Sequence, residues 1–146
     1  MTYATMHSTA VGKSILAFLH PSEALQNLKN TLLRKHSSKT VASERMILAQ
    51  TGPGVRARGC AIDDEETEIG ARCIAAPIFN GHGRPVAAII ISGPVNYMRA
   101  KMCLKMAKSL KETNSGILSN LVSPRAAGMT RKRQISVPKT FESYPE

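Results

Sequence analysis

The chain has 146 residues, 42% of them apolar, and a formal net charge of +10; that length and composition fit one globular domain and exclude both a second independent core and wholesale disorder. Its longest unbroken apolar run, Val86 to Ile91, is six residues, far short of the about twenty that a membrane-spanning helix needs. Three cysteines without paired spacing point to reduced thiols and a cytoplasmic location rather than a disulfide framework.

Ser8 or Thr9 can cap a first helix in which Val11, Ile15, Phe18 and Leu19 recur at spacings of three and four, with His20-Pro21 as its stop. Its apolar patch has no basic residue ahead of it until Lys13, which sits inside the helical pattern, so a secretory signal is not expected. Ser22-Glu23 opens a second helix whose buried stripe is Leu25, Leu28, Leu32 and Leu33. Residues 34 to 43, rich in Lys, Arg and Ser, read as an exposed loop. Ser43 can cap a short helix to Gln50, and Gly52-Pro53-Gly54 breaks its continuation.

Cys60-Ala61-Ile62 is a short strand running into an acidic turn that Gly70 can close with a positive φ. Cys73 to Phe79 and Val86 to Ser92 are two longer strands, and the turn chemistry of Asn80 to Pro85 between them predicts an antiparallel hairpin. Gly93-Pro94 ends the sheet. Leu104, Ala107, Leu110, Ile117, Leu118 and Leu121 trace one face of a final helix, and residues 123–146 form a basic tail without periodicity.

The charge raises the possibility of nucleic-acid binding, since clustered cations release counterions from a phosphate backbone. Arg131, Lys132 and Arg133 cluster in the tail, while the remaining cations punctuate helices. No helix-turn-helix, zinc ligand set or aromatic RNA-binding motif is present, and three Tyr and three Phe offer little base stacking. Gly12-Lys13-Ser14 fails as a phosphate-binding loop, because His7 stands where the leading glycine belongs; it reads as a small residue in a packed helix followed by a surface lysine. The start of that helix still offers amides near Thr9, Ala10 and Val11 to a carboxylate.

Five of the ten acidic residues lie between Asp63 and Glu68. They lack the alternating oxygen ligands and central glycine of a calcium loop, so Glu65, Glu66 and Glu68 read as solvated, while Asp63 is either a turn former or points into a pocket. Cys73 is either a pocket-lining thiol or, with an activating neighbour that the sequence does not supply, a nucleophile. Neither metal nor cofactor binding has the necessary ligand spacing, and no catalytic set emerges.

His7-Ser8-Thr9-Ala10-Val11-Gly12-Lys13, Arg58 to Glu66, Gly70 to Pro77 and Ile91-Ser92-Gly93-Pro94 together resemble the C-terminal effector-binding domain of IclR-type bacterial transcriptional regulators, over about residues 7 to 122. The resemblance implies an α/β (α+β) GAF-like fold, an antiparallel sheet flanked by helices, enclosing a pocket for a small carboxylate-type metabolite. It assigns ligand contacts to Ala10, Val11, Asp63, Cys73 and Ser92, and it places Ile90 where some members carry a second serine. It also implies a homo-oligomer that meets DNA only through a separate N-terminal winged helix-turn-helix. That module and the first strands of the effector domain are not in the sequence, so the expectation is a partial domain at residues 1–122, incomplete at its N-terminus. A truncated remnant and a small basic nucleic-acid-binding protein are the alternatives.

Overall fold

The computed structural model describes residues 5–80, 82–99, 102–103, 105–110 and 112. Four helices, α1 (Ala10–Leu16), α2 (Pro21–Lys29), α3 (Glu44–Thr51) and α4 (Pro53–Arg58), precede three strands, β1 (Ala61–Asp64), β2 (Ala71–Phe79) and β3 (Pro85–Pro94). The strands form one antiparallel sheet in the order β1-β2-β3, and the described residues from 102 to 112 are helical. This is the expected α/β arrangement. The expected continuation to Leu121 and the tail at 123–146 lie outside the described residues.

The β2–β3 hairpin follows from its turn. Asn80 Oδ1 accepts from the amides of His82 at 3.0 Å and Arg84 at 2.9 Å, and Gly83 takes φ 74°, a conformation that glycine adopts without a Cβ clash. The register sets Cys73 opposite Ser92 and Ile74 opposite Ile91, with one irregularity at Ile78/Phe79.

Alternation along the strands divides the sheet into two faces. On one, Ile74 and Ala76 pack with Cys60, Met98, Cys103, Ala107 and Leu110. The other lies under α1, where Ala61 joins Ala17 and Val55 and Phe18 meets Phe79 edge to face at 5.0 Å between centroids. A third cluster, Leu16, Leu19, Ala24, Leu28 and Ile47, ties α2 and α3 to α1. Because it is enclosed on so many sides, α1 buries Ala10, Gly12, Lys13, Ser14 and Leu16 instead of a single stripe. Thr9 caps it by accepting from the Gly12 amide at 3.0 Å.

Three expectations are corrected. α2 stops at Lys29, so Leu32 falls beyond its buried face and is 69% exposed. Gly52-Pro53 does not end the helical region but divides it: Pro53 starts α4 at once, a first-turn position where proline's missing amide costs no hydrogen bond. Lys13 is not a surface residue; it is 5% exposed and donates to Glu66 Oε1.

That last contact belongs to a clasp that pattern reading did not show. Asp63 Oδ1 accepts the amides of Glu66 at 2.8 Å and Thr67 at 3.2 Å, closing the acidic turn as an Asx-type cap. The loop before α3 reaches across to it. Ser37 Oγ donates to the Glu65 carbonyl at 2.6 Å, Thr40 Oγ1 donates to the Glu66 carbonyl, and Lys39 pairs with Glu65 at 2.5 Å. Residues 34–43 form the expected loop, mostly exposed but pinned at Ser37, Lys39 and Thr40, whereas Glu66 is not solvated: its side chain is 12% exposed. Burial pushes the Glu66 carboxyl above its ordinary 4.5 despite the nearby Lys13 ammonium, whereas the Lys39 hydrogen bond holds Glu65 below its ordinary value.

Two outcomes follow from this packing. A Cβ on Gly12 would lie 2.3 Å from Met6 Cα, a backbone atom that cannot rotate away, so Gly12→Ala is expected to cost about 3 kcal/mol in urea denaturation; an unchanged midpoint contradicts the close approach. Lys13→Met leaves a buried carboxylate without its cation and is expected to cost about 3 kcal/mol at pH 7, with much of the loss recovered in Lys13→Met/Glu66→Leu. Because the folded Glu66 carboxyl holds its proton to higher pH than the unfolded chain, its contribution is full below 4.5 and is lost as pH rises through the folded value. The Lys13→Met penalty should therefore shrink on acidification, and denaturation curves at pH 7 and pH 5 check this.

Candidate functional site

Two registers meet on β2. Asp63 lies opposite Cys73 in the β1–β2 ladder, and Cys73 lies opposite Ser92 in the β2–β3 ladder. Directly opposed residues of neighbouring strands present their side chains on the same face, so a carboxylate, a thiol and a hydroxyl form one row across the sheet. That face is the one under α1, which packs against all three strands.

The three positions differ in burial. Asp63 is 4% exposed, Cys73 is half-buried and Ser92 is exposed on the outer strand. Both turn amides fall on Asp63 Oδ1, so Asp63 is a turn former, one of the two readings left open by its sequence, and it also stands in the row. Cys73 is in no disulfide. Its cross-strand neighbours are an acid and a hydroxyl, neither of which is a cation to activate a thiolate, so the row is suited to hydrogen bonding rather than nucleophilic attack. Ile90 shares the Ser92 face and is 45% exposed, giving the outer end of the row an apolar floor.

Ala10 and Val11 stand at the start of α1, Ala10 buried and Val11 partly so. As first-turn residues their amides have no intrahelical acceptor. The Lys13–Glu66 pair joins α1 to the turn that Asp63 closes, so helix start and row are held by the same contact.

Arg72 and Cys73 point to opposite faces, as strand geometry requires. Arg72 pairs with Asp64, Nε to Oδ1 at 2.7 Å, and its Nη1 donates to the Met98 carbonyl at 2.5 Å. It thereby fixes the segment after β3. Sequence reading missed Lys13, Ser37 and Thr40 as supports of the site, because partners 26 to 53 residues apart leave no local period.

Several cations among the described residues are engaged within the fold. Lys13 and Arg72 are paired as above, Arg56 donates to the carbonyls of Ala17 and Leu19, and Arg84 pairs with Glu23 at 2.5 Å. The nucleic-acid alternative gains no support from them, and the Arg131–Arg133 cluster lies outside the described residues. Among the described residues no group of three metal-ligating side chains occurs, and no helix is long and apolar enough to cross a membrane.

Comparison with known proteins shows the family. The profile of the family described as bacterial transcriptional regulator IclR C-terminal matches residues 2–118. The HTH-type transcriptional regulator BhcR of Paracoccus denitrificans is 31% identical over 127 residues, 87% of this chain and 45% of that protein. The transcriptional repressor IclR of Escherichia coli is 40% identical over 94 residues, 62% of this chain and 33% of that protein. Among solved structures, the Thermotoga maritima IclR superposes with a TM-score of 0.75 at 36% identity, covering 80% of this chain and 47% of that one. The chain thus spans less than half the length of these relatives. Family profile, sequence relatives and superposed fold converge, and the chain belongs to the IclR C-terminal family of bacterial transcriptional regulators.

Proposed function

We propose that the chain is a regulatory domain that binds a small organic acid as effector, at a site between the start of α1 and the Asp63–Cys73–Ser92 row. The observation that carries this reading is the row itself: two independent strand registers bring three ligand-capable side chains to one face, beneath the helix whose first amides lack intrahelical acceptors. The ligand carboxylate accepts hydrogen bonds from the Ala10 and Val11 amides, where the helix start favours an anion. Asp63, Cys73 and Ser92 contact the hydroxyl or carbonyl groups of its body. Ile90 beside Ser92 favours effectors with an apolar portion over small, fully polar acids.

Regulation on this reading is by linkage. An effector that binds one assembly state more tightly than another shifts the population towards it, and operator affinity follows. DNA contact belongs to a separate helix-turn-helix module, and the domain works in the cytoplasm as a homo-oligomer. The outer edge of β3, which carries no charged residue from Pro85 to Pro94, supports self-association.

A thermal-shift screen of the folded protein against small carboxylic acids tests the reading. An effector at a hundred times its Kd should stabilise by about 2.7 kcal/mol, and Cys73→Leu, which fills the middle of the row, should abolish the shift. No stabilisation by any acid of the panel would count against the site. Ile90→Ser should weaken acids with an apolar body and spare hydroxylated ones; equal effects on both would remove Ile90 from recognition.

A further inference from the structure

A cleft of about 250 Å³ opens between α1, α3, α4 and β1, lined by Lys13, Thr51, Arg58, Ala61, Ile62 and Glu66 among others. Its lining includes none of Ala10, Val11, Asp63, Cys73 or Ser92, so it is separate from the row. It is small for a ligand pocket, but two of its three charged groups are built in, with Arg58 exposed at its rim. Lys13 is 5% exposed and the Glu66 side chain 12%.

These groups are incompletely satisfied by the fold. Glu66 Oε1 takes the Lys13 ammonium, but Oε2 is buried with no hydrogen-bond partner. An ammonium has three hydrogens to give, and one of them goes to Glu66. Leaving a buried polar atom unpaired costs more than making an average hydrogen bond gains, so the arrangement calls for a donor at Oε2 and an acceptor near Lys13. Arg58 supplies a second cation. Its guanidinium lies beside Gly54, where a Cβ would be 3.3 Å from Nη1. The cleft therefore carries two cations and one carboxylate.

From this donor and acceptor pattern we infer that the cleft is a second ligand site, one that takes a small anion bearing a hydroxyl group. The anionic end lies between Lys13 and Arg58, and the hydroxyl donates to Glu66 Oε2. A neutral hydroxyl suits that oxygen better than an ammonium, because two cations already stand in the cleft and a third is repelled. Thr51, whose hydroxyl donates to the Ile47 carbonyl at 2.8 Å, remains able to accept. The site bears on the first one through Lys13, since the same side chain holds α1 to the acidic turn.

Amide resonances of the whole chain, titrated with D-glycerate and separately with propionate, test this. D-glycerate should produce saturable shifts at Thr51, Val55, Ala61 and Ile62, with propionate, which lacks the hydroxyls, at least about tenfold weaker there, the equivalent of one charge-assisted hydrogen bond. Arg58→Ala, at an exposed position that should not endanger folding, is expected to raise the D-glycerate Kd about tenfold, while Lys35→Ala, which removes the same charge elsewhere, leaves it unchanged. Equal binding of the two acids, shifts confined to Ala10, Val11 and Ser92, or no saturable shift because the cleft holds water only, would each overturn the inference.

Discussion

From the end of β1 through the turn to β2, Asp63 to Glu68 hold five of the chain's ten acidic residues, and like charges so crowded repel unless other groups answer them. Each answer comes from a different part of the molecule. Lys13 arrives from α1, Lys39 with Ser37 and Thr40 from the loop before α3, and Arg72 from β2. Asp63 turns inward and caps the turn with its own Oδ1. The acidic turn thus sets where α1 lies on the sheet and holds the 34–43 loop beside β1.

The contacts of the clasp are not equal in weight. Lys39 and Asp64 are about half exposed, and pairs in that environment contribute little after screening. Lys13 and Glu66 are nearly enclosed, where losing one partner is severe even though the intact pair adds little net stability over apolar neighbours. The buried pair therefore acts through position more than through energy. It holds the helix whose first amides lack intrahelical acceptors in fixed relation to the turn that Asp63 closes, and through β2 in relation to Cys73 and Ser92.

How much of this was legible depended on sequence distance. The hairpin was readable because Asn80 to Pro85 and the flanking alternation are local, and the cap at Thr9 and the positive φ of Gly70 were readable for the same reason. Only the β2–β3 pairing was readable in this way; the place of β1 beside β2 came from the structure. The cross-strand row was not readable from composition or spacing, because it needs two registers at once, and the resemblance supplied its members before the structure supplied their alignment. Lys13 was misread because a lysine on a short helix is ordinarily solvated and its partner lies 53 residues away. Leu32 was misread because the helical period continues past Lys29 while the helix does not. Gly52-Pro53 carried two meanings, stop and first-turn proline, and only the packing of Val55 against Ala17 and Ala61 selects the second.

On the proposed reading, α1's first turn and the cross-strand row form a single binding surface. Its most direct measurement is a crystal structure of the protein with a small carboxylic acid that stabilises it. The predicted result is a carboxylate at the Ala10 and Val11 amides with the rest of the ligand over Cys73 and Ser92. A ligand seated instead in the apolar cleft beside Tyr97, Met98, Met102 and Met106, with the row unoccupied, would contradict it.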